Sequence, residues 1–335
     1  MNKKNIQQVV DLNENIFSDT IEHVPIRNGF GTGLVEAAAK DSRIVGLCAD
    51  LTESTRMEEF AKKFPNHFIE VGITEQNLAS VASGMAAMGK IPFISSYAVF
   101  SPGRNWEQIR TTICYNDVPV KIAGSHAGIS VGPDGGTHQA LEDIALMRVL
   151  PNIDVLVPCD AIEAHKATCA IALTSKPSYI RLAREKTPIV TSDKTPFEIG
   201  KANIVFKSES ETFDVAIVAC GTLVYQAILA AKELDEQGIK IIVVNMHTIK
   251  PIDTGILKYI CDQAGAIVTA EEHQIAGGLG GAVSEFVVSY RPVPIEFIGI
   301  KDVYGQSGKP DELMDFYNLN QNSIEQAVYT ILSRK

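Results

Sequence analysis

Positive charge is in short supply in this sequence: 30 Lys+Arg stand against 40 Asp+Glu in 335 residues, a formal net charge of −10. A body of that sign repels phosphate backbones and anionic lipid, so neither nucleic acid nor membrane is expected as a partner unless a local patch reverses the field. Long apolar runs are missing too. No stretch approaches the roughly 20 residues of a bilayer span. The first residues, MNKKNIQQVVDLNENIF, carry charge but no apolar core ahead of a small-residue cleavage site, so the expected location is the cytoplasm. Cysteine is sparse and scattered. Cys48, Cys114, Cys159, Cys169, Cys220 and Cys261 form no Cys-x-x-Cys pair, which predicts reduced, buried thiols in a chain too large to depend on disulfides.

What is abundant is apolar material in a regular rhythm. With 45% hydrophobic and 21% charged residues the chain is of the soluble globular kind, and its length suits two domains. Residues 1–25 are polar and aperiodic and read as an extended lead-in ending at Pro25. Beyond them, short apolar stretches at 44–48, 91–96, 118–123, 153–157 and 178–182 alternate with helical patterns near 33–40, 55–63, 75–88, 104–115, 139–148 and 160–173. Such alternation is the signature of a parallel sheet covered on both faces. The stretch 185–210, rich in Pro, Lys, Thr and Ser, marks a junction. A second series follows, with strands at 214–220, 240–245, 266–270 and 294–300 and helices near 222–237, 253–263, 278–289 and 322–333. The fold class is therefore α/β, with two parallel-sheet α/β domains: 26–190, a linker at 191–210, and 211–335.

Several motifs carry possible chemistry. Gly29-Phe30-Gly31-Thr32-Gly33 sketches a dinucleotide fingerprint, but Leu34 stands where glycine is needed and Pro25 interrupts the strand that should precede it. A loosened helix start or close packing accounts for these glycines. Gly128-Ile129-Ser130-Val131-Gly132 has the form of a nucleophile elbow, yet Pro133-Asp134-Gly135-Gly136 delays the helix an elbow must enter, so a glycine-rich loop is expected. His126, Asp134 and His138 lie on that loop, past the end of a strand, where parallel sheets bind ligands. Their spacing matches no zinc pattern, so no metal site is expected; their donors and acceptors suit sugar hydroxyls and phosphate, and exposed loop histidines are the plainer alternative. Glu75 opens a helix after Phe68-Ile69-Glu70-Val71. It complements the helix dipole, and partial burial at a strand end would equip it to exchange a proton. Tyr97 and Phe100 end a strand before Pro102-Gly103, as core aromatics or as a face for a flat heterocycle. Gly277-Gly278-Leu279-Gly280-Gly281 invites an anion at a helix start, or close helix packing.

In combination and in order, these segments resemble the C-terminal half of transketolase, its pyrimidine-binding domain plus its C-terminal domain, from about Arg27 to about Gly308. The carriers are Ala49-Asp50-Leu51-Thr52, Val71-Gly72-Ile73-Thr74-Glu75-Gln76, the stretch from Pro92 to Phe100, Ser125-His126 with Gly132-Pro133-Asp134-Gly135-Gly136-Thr137-His138-Gln139, Arg184, and Lys250-Pro251-Ile252-Asp253. The resemblance implies two-carbon ketol transfer between sugar phosphates through a thiamine diphosphate carbanion. By it, Glu75 matches the glutamate that bonds N1′ of the aminopyrimidine and favours the imino tautomer that deprotonates the thiazolium. Tyr97 and Phe100 match the aromatics packed on that ring, and Asp50 and Leu51 match residues beside the cofactor. His126, Asp134 and His138 match contacts to the sugar hydroxyls; Arg27, Ser54 and Arg184 match the group that holds the substrate phosphate, where Arg offers a forked donor set. Thr74-Glu75-Gln76 replaces the Arg-Glu-His frequent in the family, and Tyr97 stands where Phe is frequent, departures that bear on sugar specificity. Deoxyxylulose-phosphate synthases and 2-oxoacid dehydrogenase beta subunits remain alternatives within the same cofactor class.

One family element is missing. Thiamine diphosphate enzymes of this kind hold the diphosphate and Mg2+ through Gly-Asp-Gly with an Asn downstream, and this sequence contains no Gly-Asp dipeptide. The expectation is a split enzyme: a partner subunit, equivalent to the N-terminal half of transketolase, carries the diphosphate and Mg2+ site and pairs with this chain as an α2β2 assembly. Alone, this chain should be inactive.

Overall fold

A computed structural model describes residues 9–334. The first sheet has seven strands in the order Thr248–Lys250, Asp154–Leu156, Ser178–Arg181, Lys121–Ser125, Ile91–Tyr97, Ile44–Cys48, Phe68–Glu70. All run parallel except Thr248–Lys250, which the second half of the chain contributes antiparallel at one edge. The second sheet runs Ile295–Ile300, Ile267–Gln274, Val215–Ala219, Ile241–Asn245, Asn203–Lys207, with only the last antiparallel. Each expected parallel sheet is thus present with one antiparallel edge. The unbroken apolar runs follow from burial on both faces. In IVGLC, Ile44 and Cys48 point into one layer and Val45 and Leu47 into the other. Val45 and Leu47 share their layer with Ala216 and Val218 of the second sheet, so one continuous core joins the two halves.

The first helix, Ile26–Lys40, starts seven residues before the expected one, with Pro25 (φ −58°) ahead of it. Three glycines lower its intrinsic propensity, but packing requires them: Gly31 lies against the backbone of Arg56, and Gly29 and Gly33 against the helix Ala161–Ala172. A Cβ on Gly29 would lie 1.9 Å from the carbonyl oxygen of Ala161, and one on Gly33 2.8 Å from that of His165. These glycines therefore sit inside a helix, not at a strand-to-helix turn. The single helix expected at 104–115 is a short turn, Trp106–Gln108, running into a wide π turn, Ile109–Cys114.

The junction is more structured than a linker. Within 191–210, Asn203–Lys207 is a strand of the second sheet, while Lys166 donates to the carbonyls of Ser192, Asp193 and Thr195. Of the lead-in, residues 1–8 lie outside the described part; the remainder is docked. Ile16 and Ile21 are buried in the second domain's outer core, and His23–Pro25 pairs antiparallel with Lys186–Pro188. All six cysteines are free, five buried and Cys169 half-buried.

Candidate active site

Candidate residues gather at the carboxyl ends of the parallel strands of the first sheet: Tyr97 ends its strand, Glu75, Phe100, His126 and Arg184 follow theirs, and Arg27 comes from the start of the helix Ile26–Lys40. Glu75 is the first residue of the helix Glu75–Ala87 and is only 4% exposed. Asn105 donates to its carbonyl oxygen at 2.9 Å, which fixes the helix start. Arg104 donates to both carboxylate oxygens, at 3.1 and 3.3 Å. The same guanidinium lies 4.1 Å from the centroid of the Phe100 ring. Phe100 stacks in turn on Tyr97 (5.9 Å, 14°), and Tyr97 on His126 (3.8 Å, 23°). His138 closes the cluster edge-on to Phe100 at 5.5 Å. Glu75, Tyr97, Phe100, His126 and His138 thus form one connected group.

His126 is 2% exposed, with φ 54°. Its tautomer follows from its partners. A guanidinium only donates, so Nε2, 3.2 Å from Nη1 of Arg27, is the acceptor; Nδ1 carries the hydrogen and donates to Ser125 Oγ at 2.9 Å. Burial first, then the nearby Arg27, Arg184 and Arg56 and His138, lowers its pKa to about 2. Arg27 also donates to the carbonyl of Ser54 at 2.7 Å, and burial together with Arg56 and Arg184 holds its own pKa below the usual value. Arg184 donates to the carbonyl of Val131 at 2.6 Å and faces Asp134 at 3.7 Å. Arg27, with Arg56 and Arg184 near enough to lower its pKa, makes the local positive patch that the acidic whole lacks, a setting for an anion.

Asp50 (φ 58°) and Leu51 stand on the same loop as Ser54. Glu70 holds that loop, accepting from the backbone N of Asp50 (2.7 Å) and of Gly72 (2.9 Å) and from Thr52 Oγ1 (3.0 Å). Sequence reasoning missed Glu70, Arg56 and Arg104. Only Arg104 had a local signal, its i,i+4 spacing from Phe100.

The second domain braces the histidine loop. Glu272, 2% exposed, accepts from the backbone N of Ser130 at 2.7 Å and from Thr222 Oγ1 at 2.8 Å. Gly128 (φ 94°) passes so close that a Cβ there would lie 2.2 Å from Glu272 Oε1. Gln139 donates to the carbonyls of Ile129 (3.1 Å) and Gln306 (3.0 Å), and the buried pair Arg181–Asp143 (2.9 Å) adds a bond to the carbonyl of Glu272 at 2.8 Å. Ser130 sits in a 3-10 turn, not at an elbow, and its buried Oγ has no partner, so no base activates it. Gly277 and Gly278 do precede a helix, Leu279–Tyr290, but its first amides, of Leu279 and Gly280, donate at 2.7 and 2.8 Å to Glu271. An internal carboxylate fills the place an anion would take.

Family models match nearly all of this architecture: the transketolase pyrimidine-binding domain over residues 22–190 and the transketolase C-terminal domain over residues 200–324. A putative transketolase C-terminal section of Methanocaldococcus jannaschii is 43% identical over 306 residues, covering 90% of this chain and 95% of that protein. The 6-deoxy-6-sulfo-D-fructose transketolase subunit SqwH of a Clostridium species is 37% identical over 319 residues, covering 95% of this chain and 98% of that one. A solved split gene transketolase, described as an inactive beta4 tetramer, superposes with a TM-score of 0.85 at 44% identity, over 92% of this chain and 99% of that one.

Proposed function

Because this chain belongs to the transketolase family, we propose that it is the smaller subunit of a split transketolase that moves a two-carbon ketol unit from a ketose phosphate to an aldose phosphate. The observation that carries the cofactor assignment is the seat of Arg104. A planar, cationic, nitrogen-bearing group rests on Phe100 while donating to the buried Glu75 carboxylate. An aminopyrimidine is likewise flat and nitrogen-rich, so the residues fit one end of thiamine diphosphate. When bound, that cofactor supplies the nucleophilic carbon and the electron sink for breaking and making the carbon–carbon bond.

This chain's residues supply the rest. Glu75 holds a proton at the ring nitrogen, Phe100 and Tyr97 give the ring its face, and Asp50 and Leu51 border it. Arg27, Arg184 and the loop of Ser54 take the substrate phosphate, with Arg56 adding to the field. His126, neutral and oriented by Arg27 and Ser125, and His138 with Asp134 bond the sugar hydroxyls and relay protons to the reacting oxygen.

We assign the diphosphate and Mg2+ to a partner subunit, in an α2β2 assembly. No Gly-Asp dipeptide occurs in the sequence, and the relatives this chain spans nearly end to end are described as a transketolase section and a transketolase subunit. The test mixes this chain with the partner that bears Gly-Asp-Gly, thiamine diphosphate and Mg2+, and follows two-carbon transfer from xylulose 5-phosphate to ribose 5-phosphate alongside pyruvate decarboxylation. Ketol transfer supports the reading; pyruvate turnover without ketol transfer contradicts it.

A further inference from the structure

Among the described residues, one group of three potential metal ligands has its donor atoms all within 4.8 Å of one another: Glu36, His165 and Cys169. It bridges two helices, Ile26–Lys40 and Ala161–Ala172, which Gly29 and Gly33 of the first allow to approach closely. His165 and Cys169 are one turn apart on the second helix, and Glu36 faces them from the first. Nε2 of His165 lies 2.9 Å from Oε2 of Glu36 and 3.8 Å from Sγ of Cys169. Borderline-soft divalent cations take such a set.

The hydrogen bonds around the cluster leave Nε2 of His165 directed at its centre, while the Cys169 thiol donates to the carbonyl of Gly33 at 3.7 Å. Thr32 Oγ1 donates to the carbonyl of Gly29 at 3.1 Å, so toward Nδ1 of His165, 2.8 Å away, it is free only to accept. Nδ1 therefore carries a ring hydrogen, and Nε2, facing Glu36 Oε2, is the nitrogen that binds either a proton, as in an ion pair, or a metal ion. A metal ion bound there would take the place of that proton. An anchored Nδ1–H is also what orients metal-ligating histidines. The carboxylate is divided to match: Oε1 takes Lys40 at 2.6 Å, and Oε2 is left for the cluster.

We propose that Glu36, His165 and Cys169 bind a borderline-soft divalent cation of the Zn2+ class, with water in the fourth position. Zn–N and Zn–O bonds of about 2.1 Å and Zn–S of about 2.3 Å place tetrahedral ligand atoms about 3.4 to 3.6 Å apart, so the observed 2.9 and 3.8 Å need only small side-chain adjustments. His165 and Glu36 are 32% and 43% exposed, which leaves a path for the ion. The ion would tie the helix that begins beside Arg27 to its neighbour, departing from the expectation that this chain carries no metal.

The test is titration of the untagged, reduced full chain with Co2+, reading the thiolate-to-cobalt charge-transfer band and the strong d–d absorption of a tetrahedral site, followed by displacement with Zn2+. One equivalent is expected, with the band lost in Cys169→Ser and binding at least tenfold weaker in His165→Gln. Thr32→Val should weaken it about 10- to 100-fold through the loss of the ring's anchor. Circular dichroism of each variant establishes that it is folded. Absence of a charge-transfer band in the native chain, or a band that survives intact in folded Cys169→Ser, overturns the proposal.

Discussion

Replacing Arg104 with alanine should tighten thiamine diphosphate binding. In the structure the Arg104 guanidinium occupies both surfaces offered to the aminopyrimidine, the Phe100 face and the Glu75 carboxylate. A ring that takes those places must displace it. Its hold can be bounded: the side chain is 51% exposed, which limits the ion pair to about 1 kcal/mol, and a cation–π contact at such a site adds about 0.5 to 1 kcal/mol. Relief of roughly 1 to 2 kcal/mol corresponds to a dissociation constant about 5- to 30-fold lower. Calorimetric titration of the complex with the partner subunit, at fixed Mg2+, reads the change. Arg104→Met, which keeps the stem and drops the charge, should shift affinity the same way. Weaker or unchanged cofactor binding in both variants would refute the reasoning and make Arg104 a residue that holds the cofactor.

Other consequences follow from the same network. His126 should remain the neutral, Nδ1-protonated tautomer from pH 5 to 8 in 15N spectra of the histidine rings, because its pKa is lowered to about 2; protonation near pH 6.5 would contradict the tautomer derived from Arg27 and Ser125. Glu163 is buried and accepts from the backbone N of Cys159 (2.8 Å) and from Asn245 (2.8 Å). Burial, then Asp160, raises its pKa to about 7. The folded state therefore binds the extra proton: its stabilising effect is full below about pH 4.5 and is lost as pH rises through 7, about 3 kcal/mol in all. Denaturant unfolding across that range should show the decline in the native chain relative to Glu163→Gln, and parallel curves would refute it. Gly128→Ala combines a left-handed φ with a Cβ 2.2 Å from Glu272 Oε1 and should cost about 1 to 3 kcal/mol in unfolding free energy.

Much of the fold was legible because burial on both faces leaves unbroken apolar runs such as IVGLC, VAIVA and IIVVN. The first helix was cut short because glycine propensity argues against it, and only the partner helix explains why a side chain is excluded at Gly29 and Gly33. The edge strand Asn203–Lys207 was hidden in a segment whose Pro, Lys and Thr read as loop, and Thr248–Lys250 joins the other domain's sheet, a pairing no local pattern carries. At the site, residues bound to strand ends were readable from their positions. The contacts that give them meaning were not: Glu75 and Arg104 are 29 residues apart and Ser130 and Glu272 are 142 apart, distances across which spacing says nothing.

The central claim is that this chain contributes the essential carboxylate to an active site completed by another subunit. Ketol transfer from xylulose 5-phosphate to ribose 5-phosphate, with thiamine diphosphate and Mg2+, should be measured for the chain alone, for the chain with its partner, and for the partner with Glu75→Gln. The account predicts no activity alone, turnover in the pair, and a loss of at least about 100-fold in the assembled variant, the scale of a missing proton-transfer group. Turnover in the pair that Glu75→Gln leaves unchanged would contradict it.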